Sequence, residues 1–257
     1  MRRIGYIQFD VSHDIARNIV CVAHELEHMR ADLIVLPELC MCGYLFADRT
    51  QLRSVAQPVP NGEIVRQMQM LSERYRVAIL FGMAELDGTH IYNTAVAVDN
   101  GRYVGKYRKV HLSDLEKQLF DRGRQTTCVL SVGGVRIGVQ ICFDLWFPEV
   151  SRAQRRQGVE LLCALADFGG PTTWDIARTR AIENRLPLLL CNRIGQENTS
   201  EIQADFLGKS CLILPSGDRR GIGTSGKQVS KVFRYTPAEQ GNAICRDFDA
   251  EIALHES

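Results

Sequence analysis

The sequence has no stretch that a bilayer would require. Its longest apolar run, Val159 to Ala166, is interrupted by Glu160 and falls far short of the roughly 20 residues of a spanning helix. The opening MRRIGYIQFDVS carries no apolar segment of about 7–15 residues ahead of a small-residue cleavage site, so it reads as a first strand and the chain as cytoplasmic. Neither sign of charge dominates: 31 Lys and Arg face 30 Asp and Glu, interleaved, for a formal net charge of +1. A basic stripe able to neutralise phosphates is missing, and nucleic acid is not an expected partner. No Pro/Gly/Ser-rich linker, charge block or low-complexity segment divides the chain, so a single domain spanning 1–257 is expected.

Paired cysteines are scarce as well. The nine cysteines, Cys21 to Cys245, are an odd number and lie mostly in apolar strand-like runs such as LLCALA and LLLCNR, where a thiol acts as a small buried hydrophobe. Cys40 and Cys42 form the only close pair, and neither a second pair nor a nearby histidine cluster completes a four-ligand zinc site. No metal is expected there.

The composition that remains, 45% hydrophobic and 24% charged, is that of an ordinary globular protein with a sizeable core. Short apolar runs alternate with amphipathic stretches: RIGYIQF, helix-period 14–30, DLIVLPE, helical 62–76 and VAILFGMAE. Asn100-Gly101 and Gly133-Gly134 then each separate two strand-like runs, as two-residue hairpin turns that favour positive φ. A helix at 148–157, a strand VELLCALA, a helix at 173–185, a strand LPLLLCNR and a strand pair near KSCLILPSGDRRG follow. The last strand-like stretch runs from Asn242 to Ile252. Runs apolar on every residue, such as LIVLP and LLLC, point to strands buried on both faces under helices.

His24-Glu25-Leu26-Glu27-His28 spells the H-E-x-x-H of zinc peptidases. Ile15, Ile19, Val22, Leu26 and Met29 form the apolar stripe of that helix, however, and His24 and His28 lie nearly opposite it. They are expected on the solvent face, without a third protein ligand in a cleft. The peptidase reading is kept only as a remote alternative, with adventitious metal binding its residue.

Three residues at the ends of strand-like runs carry more chemistry. Glu38 follows LIVLP, where partial burial raises a carboxyl toward the range of a general base; the alternative is a rim ion pair. Lys109, in GKYRKVHL, either places a positive charge where an oxyanion develops or is an exposed edge lysine. Cys142 closes VRIGVQIC just before FDLWFPE, a strand–turn–helix elbow that exposes a thiol beside backbone N–H groups.

LPEL with a Gly-Tyr five residues after the glutamate, KYRKVHL, and GVQICFDLWFPE, in that order, resemble the signature segments of the nitrilase superfamily of carbon–nitrogen hydrolases. IGYIQFD, NTAVAVDNGRYVGKYRK, RTRAIENRLPLLLCNRIG and FLGKSCLILPSG extend the resemblance over nearly the whole chain. It implies an α/β fold, a four-layer α-β-β-α sandwich with mixed sheets. It also implies a catalytic set of Glu38 as base, Lys109 as stabiliser of the tetrahedral intermediate, Cys142 as nucleophile and Glu116 as the orienting second glutamate, with no cofactor or metal.

Within such families C-F-D-x-W-F-P-E looks like the amidase and carbamoyl-amidase side. Trp146 stands where relatives acting on dicarboxylic acid monoamides have an arginine, with Arg193 a candidate replacement anchor. Tyr44, Phe143, Trp146 and Phe168 are the expected substrate-binding residues; for Tyr44 and Phe168 the alternative is a core aromatic. The implied reaction is hydrolysis of a small linear amide or N-carbamoyl compound through a cysteine thioester, with nitrile hydrolysis as the alternative. A non-catalytic scaffold of the same fold is a further alternative, opposed by the four catalytic residue types in place. The resemblance also implies a homodimer built through 146–156 and 173–185, and the short tail after the last strand points to a small assembly.

Overall fold

A computed structural model describes residues 1–236 and 248–254. The first half runs β1 (Arg2–Gln8), α1 (Ile15–Glu27), β2 (Leu33–Val35), α2 (Arg49–Val55), α3 (Glu63–Tyr75), β3 (Ala78–Asp87), β4 (His90–Asp99), β5 (Arg102–Arg108) and α4 (Glu116–Leu119). The second half runs β6 (Val129–Val132), β7 (Val135–Ile141), a 3-10 turn (Cys142–Trp146), α5 (Pro148–Arg156), β8 (Leu161–Ala166), α6 (Thr172–Asn184) and β9 (Leu188–Asn192). It closes with β10 (Ile194–Asn198), β11 (Gln203–Leu207), β12 (Cys211–Ile213), β13 (Arg219–Arg220), β14 (Val229–Tyr235) and α7 (Phe248–Ala253).

Two six-stranded sheets result, in the orders β14-β1-β2-β3-β4-β5 and β13-β12-β9-β8-β7-β6, and β10 and β11 pair separately. In each sheet three strands are parallel, β1-β2-β3 and β7-β8-β9, with antiparallel neighbours on both sides. Helices α1, α3, α5 and α6 lie in the connections between the parallel strands, because a parallel partner cannot be reached by a tight turn. The antiparallel pairs do turn tightly: Asn100 and Gly101 sit at φ 46° and 79°, and Gly133 and Gly134 at 60° and 69°.

Side-chain alternation separates the layers. Ile4, Tyr6, Leu33, Val35, Leu80 and Ala95 of the first sheet meet Ile137, Val139, Cys163, Leu165, Leu189 and Cys191 of the second in one cluster between the sheets. The intervening residues Ile34, Ile79, Phe81 and Val96 pack outward on Val22 and Leu26 of α1 and Val65 and Met68 of α3. Leu162, Ala164, Leu188 and Leu190 pack on Trp174, Ala177 and Ala181 of α6. The architecture is the four-layer α-β-β-α sandwich. All-apolar runs such as Leu33–Val35 arise because both strand faces are covered.

On α1 the stripe falls as its spacing requires: Val22 and Leu26 are buried, Ile15 and Ile19 pack against them, and His24 and His28 are exposed. Differences from the sequence reading lie at the periphery. The expected strand Asn242–Ile252 falls partly outside the described residues, and its described part from Phe248 belongs to helix α7. The last described strand is β14, paired antiparallel with β1 from Arg2↔Tyr235 to Gln8↔Val229. Being an edge strand with Lys231 and Arg234 in it, β14 lacks the continuous apolar run that marks the central strands. Among the described residues no helix is long and apolar enough to cross a membrane.

Candidate active site

Glu38 follows β2, Cys142 follows β7, Asp167 follows β8 and Arg193 follows β9, so four loops leave the carboxyl ends of parallel strands in one place. Lys109 joins them from the end of β5, where its N–H donates to the Asn93 carbonyl at 2.8 Å and continues the β4 pairing. Gly82 of β3 lets the Glu38 turn lie close: a Cβ there would stand 2.4 Å from Leu39 N and 2.8 Å from Glu38 C.

Lys109 is 1% exposed, Glu38 0% and Glu116 1%. The Lys109 ammonium donates to Glu38 Oε1 at 2.6 Å and to Glu116 Oε1 at 2.7 Å. Asn93 Nδ2 donates to the same two oxygens, at 2.6 and 3.0 Å. Glu116 is aimed by reciprocal hydrogen bonds with Ser113: the Ser113 N–H donates to its Oε2 at 3.0 Å, and its own N–H donates to Ser113 Oγ at 3.3 Å. Glu38 Oε2 is buried and has no hydrogen-bond partner.

The charges follow from this packing. Burial pushes the Glu38 carboxyl up, Lys109 pulls it back and Glu116 raises it, leaving it above the usual carboxylate range. For Glu116, burial also pushes upward, but Lys109 and the Ser113 N–H outweigh it and the carboxyl is lowered. Burial alone would discharge Lys109, yet Glu116 and Glu38 hold its pKa well above the ordinary lysine value. The Cys142 thiol is lifted well above its usual range by burial and then by Glu38, with Lys109 and the Asp167 N–H opposing. The site therefore holds an ammonium, a thiol and a carboxyl of raised proton affinity together.

Cys142 sits at φ 43°, a left-handed conformation that a cysteine adopts only when its surroundings impose it. Asp144 pins that turn: its Oδ2 accepts the Ile141 N–H at 3.0 Å, and its Oδ1 accepts the His111 N–H at 3.1 Å and lies 2.8 Å from His111 Nδ1. The cysteine turn and the lysine loop are thus tied by one buried carboxylate.

The candidate substrate residues separate. Tyr44 is half-buried beside the cluster: its hydroxyl lies 3.5 Å from Ser113 Oγ, and burial followed by the Glu116 charge drives its pKa up. Phe143 follows the nucleophile, but its ring lies with Trp146 and Phe147, at centroid distances of 5.8 and 5.3 Å. Trp146 is 43% exposed and its indole donates to Thr173 Oγ1 at 3.4 Å, so it stands on the outer face of the turn. Phe168 joins the outer core, edge-on to Trp174 at 6.4 Å. Arg193 is fully buried with its donors on Glu197, Val11 O and Ile194 O and its guanidinium over Phe206, which leaves no fork for a substrate carboxylate.

Sequence reasoning passed over Asn93 and Asp144 and gave Asp167 no role of its own. Only the Ser113-x-x-Glu116 pattern carried a local signal of how Glu116 is aimed. His24, Glu27 and His28 gather their ligand atoms within 4.8 Å on the exposed face of α1, whereas Glu25 accepts from Gln228. That group belongs to the outer helical layer and none of its residues enters the cluster around Lys109.

A four-layer sandwich with a buried Glu-Lys-Glu cluster and an elbow cysteine at one end of its sheets defines a nitrilase-superfamily hydrolase. The family model for carbon-nitrogen hydrolases matches residues 7–228, and the chain belongs to that family. It is 32% identical to a nitrilase of Pyrococcus abyssi over 225 residues, which cover 85% of this chain and 83% of that one. It is 30% identical to an (R)-stereoselective amidase of Pseudomonas sp over 243 residues, 93% of this chain and 85% of the other. In fold it is similar to an amidase from Nesterenkonia sp., with a TM-score of 0.79, 23% identity, and coverage of 100% of this chain and 96% of that one. The chain is a carbon–nitrogen hydrolase.

Proposed function

We propose that this enzyme hydrolyses a non-peptide C–N bond in a small linear amide or N-carbamoyl compound through a thioester on Cys142. The observation that carries this reading is the division of labour within Glu38: Oε1 is held by Lys109 and Asn93, while buried Oε2 is left open to receive a proton. As Sγ attacks the carbonyl carbon, Glu38 Oε2 takes the thiol proton. Lys109 and the Phe143 N–H hold the charge on the carbonyl oxygen. Glu38 returns the proton to the leaving nitrogen, ammonia or an amine departs, and the acyl group remains on sulfur. Glu38 then takes a proton from water as the water oxygen attacks the thioester; the acid product leaves and the thiol is restored.

Similarity to a nitrilase supports a second reading, attack on a nitrile carbon followed by addition of water. Ammonia release from a panel of amides, N-carbamoyl amines and nitriles separates the two. Cys142→Ala abolishes acid product from every member while leaving the circular dichroism of the protein intact; undiminished turnover by that variant removes the mechanism. The exposed Trp146, with Phe143 and Phe147 beside α5, supports a homodimer through this face.

A further inference from the structure

Among the described residues, Asp167 is the only acid whose two carboxyl oxygens are both buried and both without a hydrogen-bond partner. Leu161, Cys163 and Leu165 of β8 point between the sheets, and Asp167 continues that face one step past the strand end. Its backbone N–H faces the Cys142 sulfur. The next residue is clamped: the Phe168 N–H donates to Asn192 Oδ1 at 3.0 Å, and Asn192 Nδ2 donates to Phe168 O at 3.0 Å. The backbone that carries the carboxyl is thus fixed at the reacting end of the site.

Neither nearby cation answers it. Lys109 is engaged by Glu38 and Glu116, and the donors of Arg193 go to Glu197, Val11 O and Ile194 O. The buried carboxyls Glu38 and Glu116 lie on Lys109 and Glu197 lies on Arg193, whereas Asp167 feels both cations without a hydrogen bond from either. A buried polar group without a partner is costly, and a carboxyl so placed is answered either by a proton or by a ligand that brings a cationic donor. Burial lifts the Asp167 carboxyl well above the usual range despite Arg193, with Glu38 and Glu197 raising it further, so an arriving cation takes the place of a proton.

We propose that Asp167 selects the substrate by accepting hydrogen bonds from a cationic nitrogen close to the scissile carbonyl. The preferred substrates are short amides or N-carbamoyl compounds that carry an ammonium group; neutral isosteres leave Asp167 unanswered and acidic ones add a further negative charge. This rests on the carbon–nitrogen hydrolase reading above and names the substrate class for that site.

The test compares matched pairs: γ-aminobutyramide with valeramide, and mono-N-carbamoyl diaminopropane with N-butylurea. The wild-type enzyme favours the amino member of at least one pair by about tenfold or more in kcat/KM, and Asp167→Asn removes about that factor through KM. Equal kcat/KM within both pairs, or a ratio that Asp167→Asn leaves unchanged, overturns the proposal. A second measurement needs neither a variant nor turnover: n-butylammonium slows alkylation of Cys142 by iodoacetamide in the wild-type protein, and n-butanol at the same concentration does not. Equal protection by the two overturns the proposal. Failure of every panel compound to release ammonia removes the hydrolase mechanism instead, whereas turnover without a charge preference removes only the role of Asp167.

Discussion

Replacing Lys109 by methionine keeps the length of the side chain and removes the charge on which the cluster is built. Its ammonium lies 2.6 Å from Glu38 Oε1 and 2.7 Å from Glu116 Oε1, and it is 1% exposed. At an effective dielectric of about 20, each such contact attracts by about 6 kcal/mol, opposed by a desolvation cost of several kcal/mol per ion. Without the cation, two carboxylates share Asn93 as their only common donor, and one of them takes up a proton. Breaking a buried ionic group in this way costs about 3–5 kcal/mol. That is a large part of a total stability of about 5–15 kcal/mol.

Urea denaturation of Lys109→Met is therefore expected to show a midpoint lowered by about 1–2 M. Ammonia release falls by about 10²–10³-fold or more, the usual loss for one oxyanion donor. The double variant Lys109→Met/Glu116→Gln separates the effects: removing one carboxylate charge recovers part of the lost stability and none of the activity. A single variant within about 1 kcal/mol of wild type, below the scale for a broken buried pair, refutes the cluster as the electrostatic centre of the site.

Two further predictions follow from buried charges. In the proposed mechanism Glu38 must be unprotonated to accept the thiol proton, so kcat/KM is expected to rise with pH through its raised pKa; Glu116→Gln removes an upward push and moves that acid limb to lower pH, and an upward shift contradicts the assignment. Away from the site, Glu85 is 1% exposed and accepts hydrogen bonds from Lys106, Arg108 and Thr94. Burial raises its carboxyl, but the Arg108 and Lys106 contacts outweigh this and hold it below 4.5; its contribution is present above that unfolded value and is lost as pH falls through the folded pKa. Glu85→Gln is expected to cost about 2–3 kcal/mol near neutral pH by chemical denaturation, with a gap from wild type that narrows in acid. A gap constant with pH refutes the linkage.

Much of the fold was legible because its signals are local. Apolar runs on every residue marked strands covered on both faces, Asn-Gly and Gly-Gly marked the two turns with positive φ, and the stripe on α1 placed His24 and His28 in solvent. Glu38, Lys109 and Cys142 stood out because each follows a strand within a recognisable segment. β14 was not legible, since an edge strand with polar residues on it lacks that continuous apolar run.

By itself the amino-acid order determined the strands and helices, the elbow at Cys142 and the residue types of the candidate site, because periodicity and turn chemistry act over a few residues; the stacking of the layers came only from the family resemblance. Tertiary structure alone decided which atoms meet. Asn93 reaches a glutamate 55 residues away and Lys109 one 71 residues away, contacts set by sheet order and register that no local pattern encodes. The same packing turned Phe168 into the outer core, closed the donors of Arg193 onto Glu197 and backbone, and left the neighbouring Asp167 carboxyl buried without a partner.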